Sequence, residues 1–208
     1  VVAAVDRARP GRVVVSTSGQ IVDDTTSPLS AAADSPISVL VRGVEATGIS
    51  TAIVEPRLFL ENLLLPVVET PIHERGILRY PLPPELPVSW SSHLDVADVV
   101  SRLLTDRSIT GTVGVGSTPG LLGTDLAAGF SEFLGRSVTY APITPEQFGG
   151  LILPLFGRGS AAVVALYQQL GMLHSHVIPS DTSAQRLLGL TPRTPHQWLK
   201  DLSALGAN

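Results

Sequence analysis

The segment Thr51 to Leu65, TAIVEPRLFLENLLL, limits the fold more than any other stretch. It reads as a buried strand running into Pro56 and then into an apolar turn or helix that carries Glu61 and Asn62. In an open α/β sheet, ligands bind at the carboxyl ends of the strands, so whatever follows Val54 stands where a ligand would react. The residues upstream supply the rest of the unit: a strand Arg12 to Ser16, a loop Thr17 to Pro36 rich in Ser, Asp and Ala, and a helix from about Ile37 to Thr47 before a strand Ser50 to Val54. That alternation is a βαβ unit, so the sheet should be parallel and the fold class α/β.

The remaining chain divides by its punctuation. Val1, Val2 and Val5 fit one face of a helix that ends at Pro10-Gly11. A domain seldom begins inside a helix, and the first residue is Val, so the sequence is expected to be the later part of a longer protein. Pro71 to Pro87 holds five prolines and reads as an extended connection with a short strand around Ile77 to Tyr80. A helix Val96 to Leu104 follows, with Asp95 as its N-cap and Asp98 in its first turn, and then a strand Gly111 to Val115. Leu122 to Gly135 is an amphipathic helix closed by glycine, and Ser137 to Pro142 a strand. Two capping boxes, Thr144-Pro145-Glu146-Gln147 and Thr194-Pro195-His196-Gln197, each place a threonine hydroxyl on orphan amides and proline at the first helical position. Asp181 and Thr182 begin a helix that ends at Gly189.

Composition removes several functions. With 13 Arg, one Lys and 18 acidic residues spread along 208 positions, net charge is -4 and no basic stripe tracks phosphates, so nucleic acid is not expected as a partner. Cysteine is absent, which excludes disulfides, thiol nucleophiles and thiolate metal sites, and a reducing cytoplasm is the default location. Gly159 to Pro179 lacks acidic residues and lysine but is interrupted by Gln168, Gln169, Gly171, His174 and His176, and is read as a buried helix rather than a membrane span. His174 and His176 have no third ligand at suitable spacing, so no metal is expected.

Two segments carry a resemblance. Glu55-Pro56-Arg57-Leu58-Phe59-Leu60-Glu61-Asn62 is similar to the motif L-R-P-x-x-F-x-E-N, and Ser89 to Leu104, SWSSHLDVADVVSRLL, forms a polar edge leading into a capped helix. Together they resemble the NmrA-like family, atypical extended short-chain dehydrogenases that bind NAD(P)H, over Gly11 to about Leu202 and the later two-thirds of a typical member. The resemblance implies an incomplete Rossmann-type parallel sheet made of the later strands, with a small mostly helical substrate lobe. Residues 1–120 would be the later half of the NAD(P)-binding domain with interleaved lobe segments, and 121–208 mainly the lobe. The family's glycine-rich phosphate loop is not found here. Gly114-Val115-Gly116-Ser117-Thr118-Pro119-Gly120 is a decoy, spaced G-x-G-x-x-x-G with Pro119 where a helix should begin.

The same resemblance implies site residues. Ser16, Thr17 and Ser18 follow a strand where the short-chain pattern orients a substrate carbonyl near the nicotinamide. Their plain alternative is a polar turn. Pro56, Arg57, Leu58 and Phe59 would pass along the cofactor, NADP or NAD, and Arg57, Asn62 and His93 would face a small-molecule substrate. Phe59 also fits a core role, and Asn62 a structural one. Glu55 stands where the family has arginine, so either Glu55 and Arg57 form a swapped ion pair or Arg57 holds a substrate anion.

The Y-x-x-x-K dyad is missing. The only lysine is Lys200, the tyrosines are Tyr80, Tyr140 and Tyr167, and the dyad positions fall near Ala33 and Ile37. General acid help is typically worth about 10²- to 10⁴-fold, so without it a reductase of quinones or enones is expected ahead of an alcohol dehydrogenase or a sugar-nucleotide epimerase. His93 is the candidate proton donor, against the reading of an ordinary loop histidine. The alternative is a non-catalytic NAD(P)-sensing binding protein. A homodimer or another protein partner stays open.

Overall fold

The computed structural model describes residues 1–24 and 26–206. In chain order it contains α1 (Val2–Ala8), β1 (Val13–Ser16), α2 (Pro36–Glu45), β2 (Thr51–Pro56), β3 (Leu58–Phe59), a 3₁₀ turn (Leu60–Leu64), α3 (Pro66–Arg75), β4 (Ile77–Tyr80), β5 (Trp90–Ser91), α4 (His93–Thr105), β6 (Gly111–Val115), α5 (Gly123–Leu134), β7 (Thr139–Pro142), α6 (Pro145–Phe156), α7 (Ser160–Leu170), α8 (Ala184–Leu188) and α9 (Pro195–Gly206). The main sheet is parallel throughout in the order β1-β2-β6, with Val14 opposite Ala52 and Val54 opposite Val113. Every residue of β2 is buried, because it is the central strand with helices packed over it.

Two apolar cores lie on either side of the site. One, under the sheet, joins Ala52, Val54, Val113 and Val115 to Val99, Leu103 and Ala184. The other fills the lobe, where Leu63, Ile72, Leu78, Tyr80 and Trp90 pack with Phe130, Phe148 and Trp198. Two short parallel pairs, β3-β5 and β4-β7, build the lobe side, so the chain crosses between the cores several times.

Three expectations are corrected. Pro71 lies inside α3 rather than in an extended connection. The apolar residues of α3 form no single stripe, so periodicity gives no signal, and a mid-helix proline ordinarily breaks a helix. Here Val68, Pro71 and Ile72 are all buried, and that packing outweighs local preference.

The α4 helix starts three residues earlier than its apolar pattern. Ser92 is the N-cap, and Asp95 is the third helical residue, closing a capping box by accepting the Ser92 N–H at 2.8 Å. Asp95 also accepts the Arg193 backbone N–H at 3.0 Å and the Arg193 guanidinium at 2.9 Å, which ties α4 to the segment before α9. Asp95→Ala should therefore cost about 2 kcal/mol, the scale of charge-assisted bonds to a buried carboxylate. Urea midpoints measure this, and a loss under about 0.5 kcal/mol would mean the bonds contribute nothing net.

The third correction concerns α7, which is not a buried helix: only Ser160, Tyr167 and Leu170 are buried. The run Pro145–Leu170 contains an 18-residue stretch with a mean hydropathy of 1.5, yet only 17% of that stretch is buried. It folds back on itself, with Gln168 donating to Glu146 at 2.7 Å and Gly149 seated against Val164, where an added Cβ would approach a methyl to 2.3 Å. Each arm is 12 or 11 residues, well short of the roughly 20 a bilayer crossing needs.

Candidate functional site

At the carboxyl end of β1 the chain reverses in a tight turn. Ser18 and Gly19 have φ of 54° and 92°, and the Gln20 N–H donates to the Thr17 carbonyl at 3.2 Å, which is a type I′ turn. Gly19 is required twice over, by its left-handed φ and because an added Cβ would lie 3.2 Å from the Arg57 carbonyl oxygen. Beside this turn β2 ends, and the two strand ends open a cleft of about 400 Å³. Ser18, Gln20, Arg57, Phe59, Asn62 and His93 are among its lining residues, together with Leu58 and His176.

The cleft thus gathers Ser18, Arg57, Leu58, Phe59, Asn62 and His93 from the residues expected in sequence. Ser16, exposed at the end of β1, and Pro56, buried at the end of β2, are outside its lining. Thr17 is buried just behind the turn, and its Oγ1 has no hydrogen-bond partner. The sequence reading missed His176, weighed only as a metal ligand, and Gln20. His176 arrives from a loop whose backbone donates to the Pro87 carbonyl at 2.9 Å and accepts from Ser89 at 3.1 Å, a long-range pairing with no local signal.

Arg57 donates to Glu55, and both are buried, which resolves the charge reversal as a swapped ion pair. The other oxygen of Glu55 accepts the Val22 N–H at 2.8 Å. Burial raises the Glu55 carboxyl above its ordinary range, while the bonds from Arg57 and Val22 pull it back. Burial, and next the Arg57 charge, lower the His176 imidazole from 6.5 to about 4, so it lines the cleft as a neutral donor-acceptor. Phe59 and His93 stack at 4.7 Å between ring centroids, at a tilt of 59°. Glu61 anchors this corner, accepting the His93 N–H at 2.9 Å and the Trp198 indole N–H at 3.1 Å. Among the described residues, no group of three or more His, Asp or Glu side chains converges as a metal site, and His174 is exposed while His176 is buried.

The arrangement is a polar-mouthed cleft at the carboxyl end of a parallel sheet, walled on the far side by the apolar lobe. No protein-family model matches the chain. It is 32% identical over 126 residues to the NAD(P)H azoreductase of Xenophilus azovorans, an alignment covering 57% of this chain and less than half, 43%, of that enzyme. Among solved structures, the triphenylmethane reductase of Citrobacter sp. complexed with NADP(H) superposes with a TM-score of 0.73 at 17% identity, over 96% of this chain and 68% of that one. The NADPH-dependent quinone oxidoreductase of Escherichia coli superposes at 0.68 and 16% identity, over 98% and 71%. The fold is therefore that of the Rossmann-type NAD(P)-binding epimerases and reductases, with the lobe closing one side of the cleft.

Proposed function

We propose that this chain belongs to an NmrA-like NAD(P)H-dependent reductase and contributes the nicotinamide-side and substrate-side walls of its active site. The observation that carries the reading is the 400 Å³ cleft at the ends of β1 and β2. It stands where open α/β sheets hold their ligands, and the azoreductase likeness supports it. The site fits the nicotinamide end of a dinucleotide: Thr17 Oγ1 is a buried hydroxyl without a partner, and the left-handed turn at Ser18 and Gly19 keeps side-chain bulk away from the Arg57 backbone. The turn Thr17 to Gln20 and the segment Pro56 to Phe59 would hold that group, which when bound supplies a hydride.

In this reading the sheet portion within residues 1–120 orients the cofactor, and the largely helical part of 121–208 shapes the substrate space and excludes water. Arg57, already satisfied by Glu55, lends positive potential rather than a free ion-pairing arm. His93, exposed at the cleft edge, would donate a proton, and Asn62 would hydrogen-bond the substrate. The substrate class is a small electrophile such as a quinone or enone, which needs little acid assistance.

A second reading, a non-catalytic NAD(P) sensor, is favoured by one observation: Ala33 and Ile37, at and before the start of α2, put no titratable group where the short-chain dyad would stand. Calorimetric titration of the full-length protein, phosphate loop included, with NADPH, followed by absorbance-monitored NADPH oxidation with a panel of quinones, separates the two. Saturable binding with steady oxidation is the expected outcome. Binding without turnover transfers the weight to the sensor, and absence of any binding overturns both.

A further inference from the structure

Beyond the cleft lies a second space of about 200 Å³ that shares Leu58, Asn62 and Leu166 with it. The α6-α7 hairpin supplies Phe148, Ile152, Phe156 and Val163 to its wall, and only two polar side chains border it, Asn62 and Tyr167. Phe156 and Leu166 are exposed, so the space reaches the surface between apolar groups.

Tyr167 is hydrogen-bonded through its hydroxyl to that of Tyr80, which is fully buried, and the rings meet nearly at right angles with centroids 5.5 Å apart. Two phenols carry two protons, and the bond between them uses one. Asn62 also hydrogen-bonds Tyr80, a bond that acts to lower that phenol and so runs from the Asn62 amide to the Tyr80 oxygen, which leaves Tyr167 to take the Tyr80 proton. If Tyr167 were the donor, the Tyr80 proton would be left inside the core with nothing to receive it, a condition that folded proteins avoid. With Tyr80 as donor, the spare proton belongs to Tyr167, which borders the cavity. Burial holds both phenols above their ordinary range, Tyr167 at about 12, so the donor keeps its proton through neutral pH. The hydrogen bond from Tyr80 acts to lower Tyr167, as a donated bond should.

We infer that this cavity seats an apolar ring carrying one carbonyl-type acceptor, an aryl ketone or quinone, whose oxygen accepts a hydrogen bond from the Tyr167 hydroxyl. An apolar cavity of about 150 Å³ is known to hold a benzene ring, so about 200 Å³ opening onto the cleft accommodates a ring and its fused or substituted neighbour. The inference deepens the reductase reading by naming the substrate's binding group, and rests on it only for the purpose of the site.

The test uses 1-tetralone and tetralin, which differ by a carbonyl in place of a methylene, titrated into the 208-residue chain by NMR without dinucleotide. Tyr167→Phe should lower the ratio of tetralone to tetralin affinity by about five- to tenfold, the scale of one hydrogen bond. Val163→Trp, which fills the cavity from the helix turn next to Tyr167, should weaken both ligands more than tenfold. An unchanged ratio in folded Tyr167→Phe, or undiminished binding in Val163→Trp, overturns the inference. Circular dichroism establishes folding, and if Tyr167→Phe does not fold, the parent chain decides: tetralone and tetralin binding with equal affinity overturns the inference. Tetralone binding in a full-length protein, phosphate loop included, that neither binds nor oxidises NADPH would sink the reductase reading and leave this site standing, and NADPH oxidation without tetralone binding would do the reverse.

Discussion

Glu55→Ala should destabilise the protein by about 3–5 kcal/mol, enough to remove much or all of the stability of a domain this size. Glu55 is 1% exposed and Arg57 8%, so the substitution leaves a guanidinium in the interior without its counter-charge and the Val22 N–H without an acceptor. The cost comes from that abandoned charge rather than from the worth of the pair itself. Replacing both residues by methionine removes two desolvated charges together, and the double variant should lie within about 1 kcal/mol of the parent. Urea denaturation of Glu55→Met, Arg57→Met and the double variant completes the cycle. If Glu55→Ala alone costs less than about 1 kcal/mol, water reaches Arg57 and the pair is not a buried one.

The second large effect is in acid. The folded protein holds His176 neutral down to about pH 4, whereas the unfolded chain protonates it near 6.5. The unfolded state therefore binds the extra proton between those values, and stability present above pH 6.5 drains away as pH falls towards 4. The full loss from this group is about 3 kcal/mol, and since His176 is 8% exposed, solvent screening reduces it little. Glu55 acts in the opposite sense, because its raised carboxyl pKa means the folded state takes up a proton more readily than the unfolded one and gains as acid is added. His176→Gln should flatten the acid limb of the stability profile by about 3 kcal/mol, measured as the difference in unfolding free energy between neutral solution and about pH 4. An acid limb of the same slope in the variant would show that His176 is not held neutral.

Much of this was legible in the residues because local chemistry and tertiary structure agree. The parallel sheet followed from apolar strands alternating with helices, and the helix starts at Thr144 and Thr194 from hydroxyl, proline and glutamine at fixed spacing, all of which the structure contains. Six residues of the cleft, Ser18, Arg57, Leu58, Phe59, Asn62 and His93, were named because the family resemblance implies them, and they line it because they follow the ends of two adjacent parallel strands or open α4. What stayed hidden depends on packing across long sequence separations. α3 tolerates Pro71 because it is covered by the lobe core, and His176 enters the cleft only because its loop pairs with residues almost ninety positions earlier. The exposed side of α7 was misjudged for a related reason: hydropathy records composition, and only the hairpin decides which side of an apolar helix meets a neighbour.

A single residue separates β2, embedded in the sheet, from β3, which belongs to the lobe, and that residue is Arg57 with its side chain clamped by Glu55. A hinge needs a stretch of backbone free to absorb torsion, and this crossing offers none. At this crossing the two halves are pinned together, so the floor of the recess should be shaped before any guest arrives, and recognition there selects for fit rather than for an ability to trigger closure.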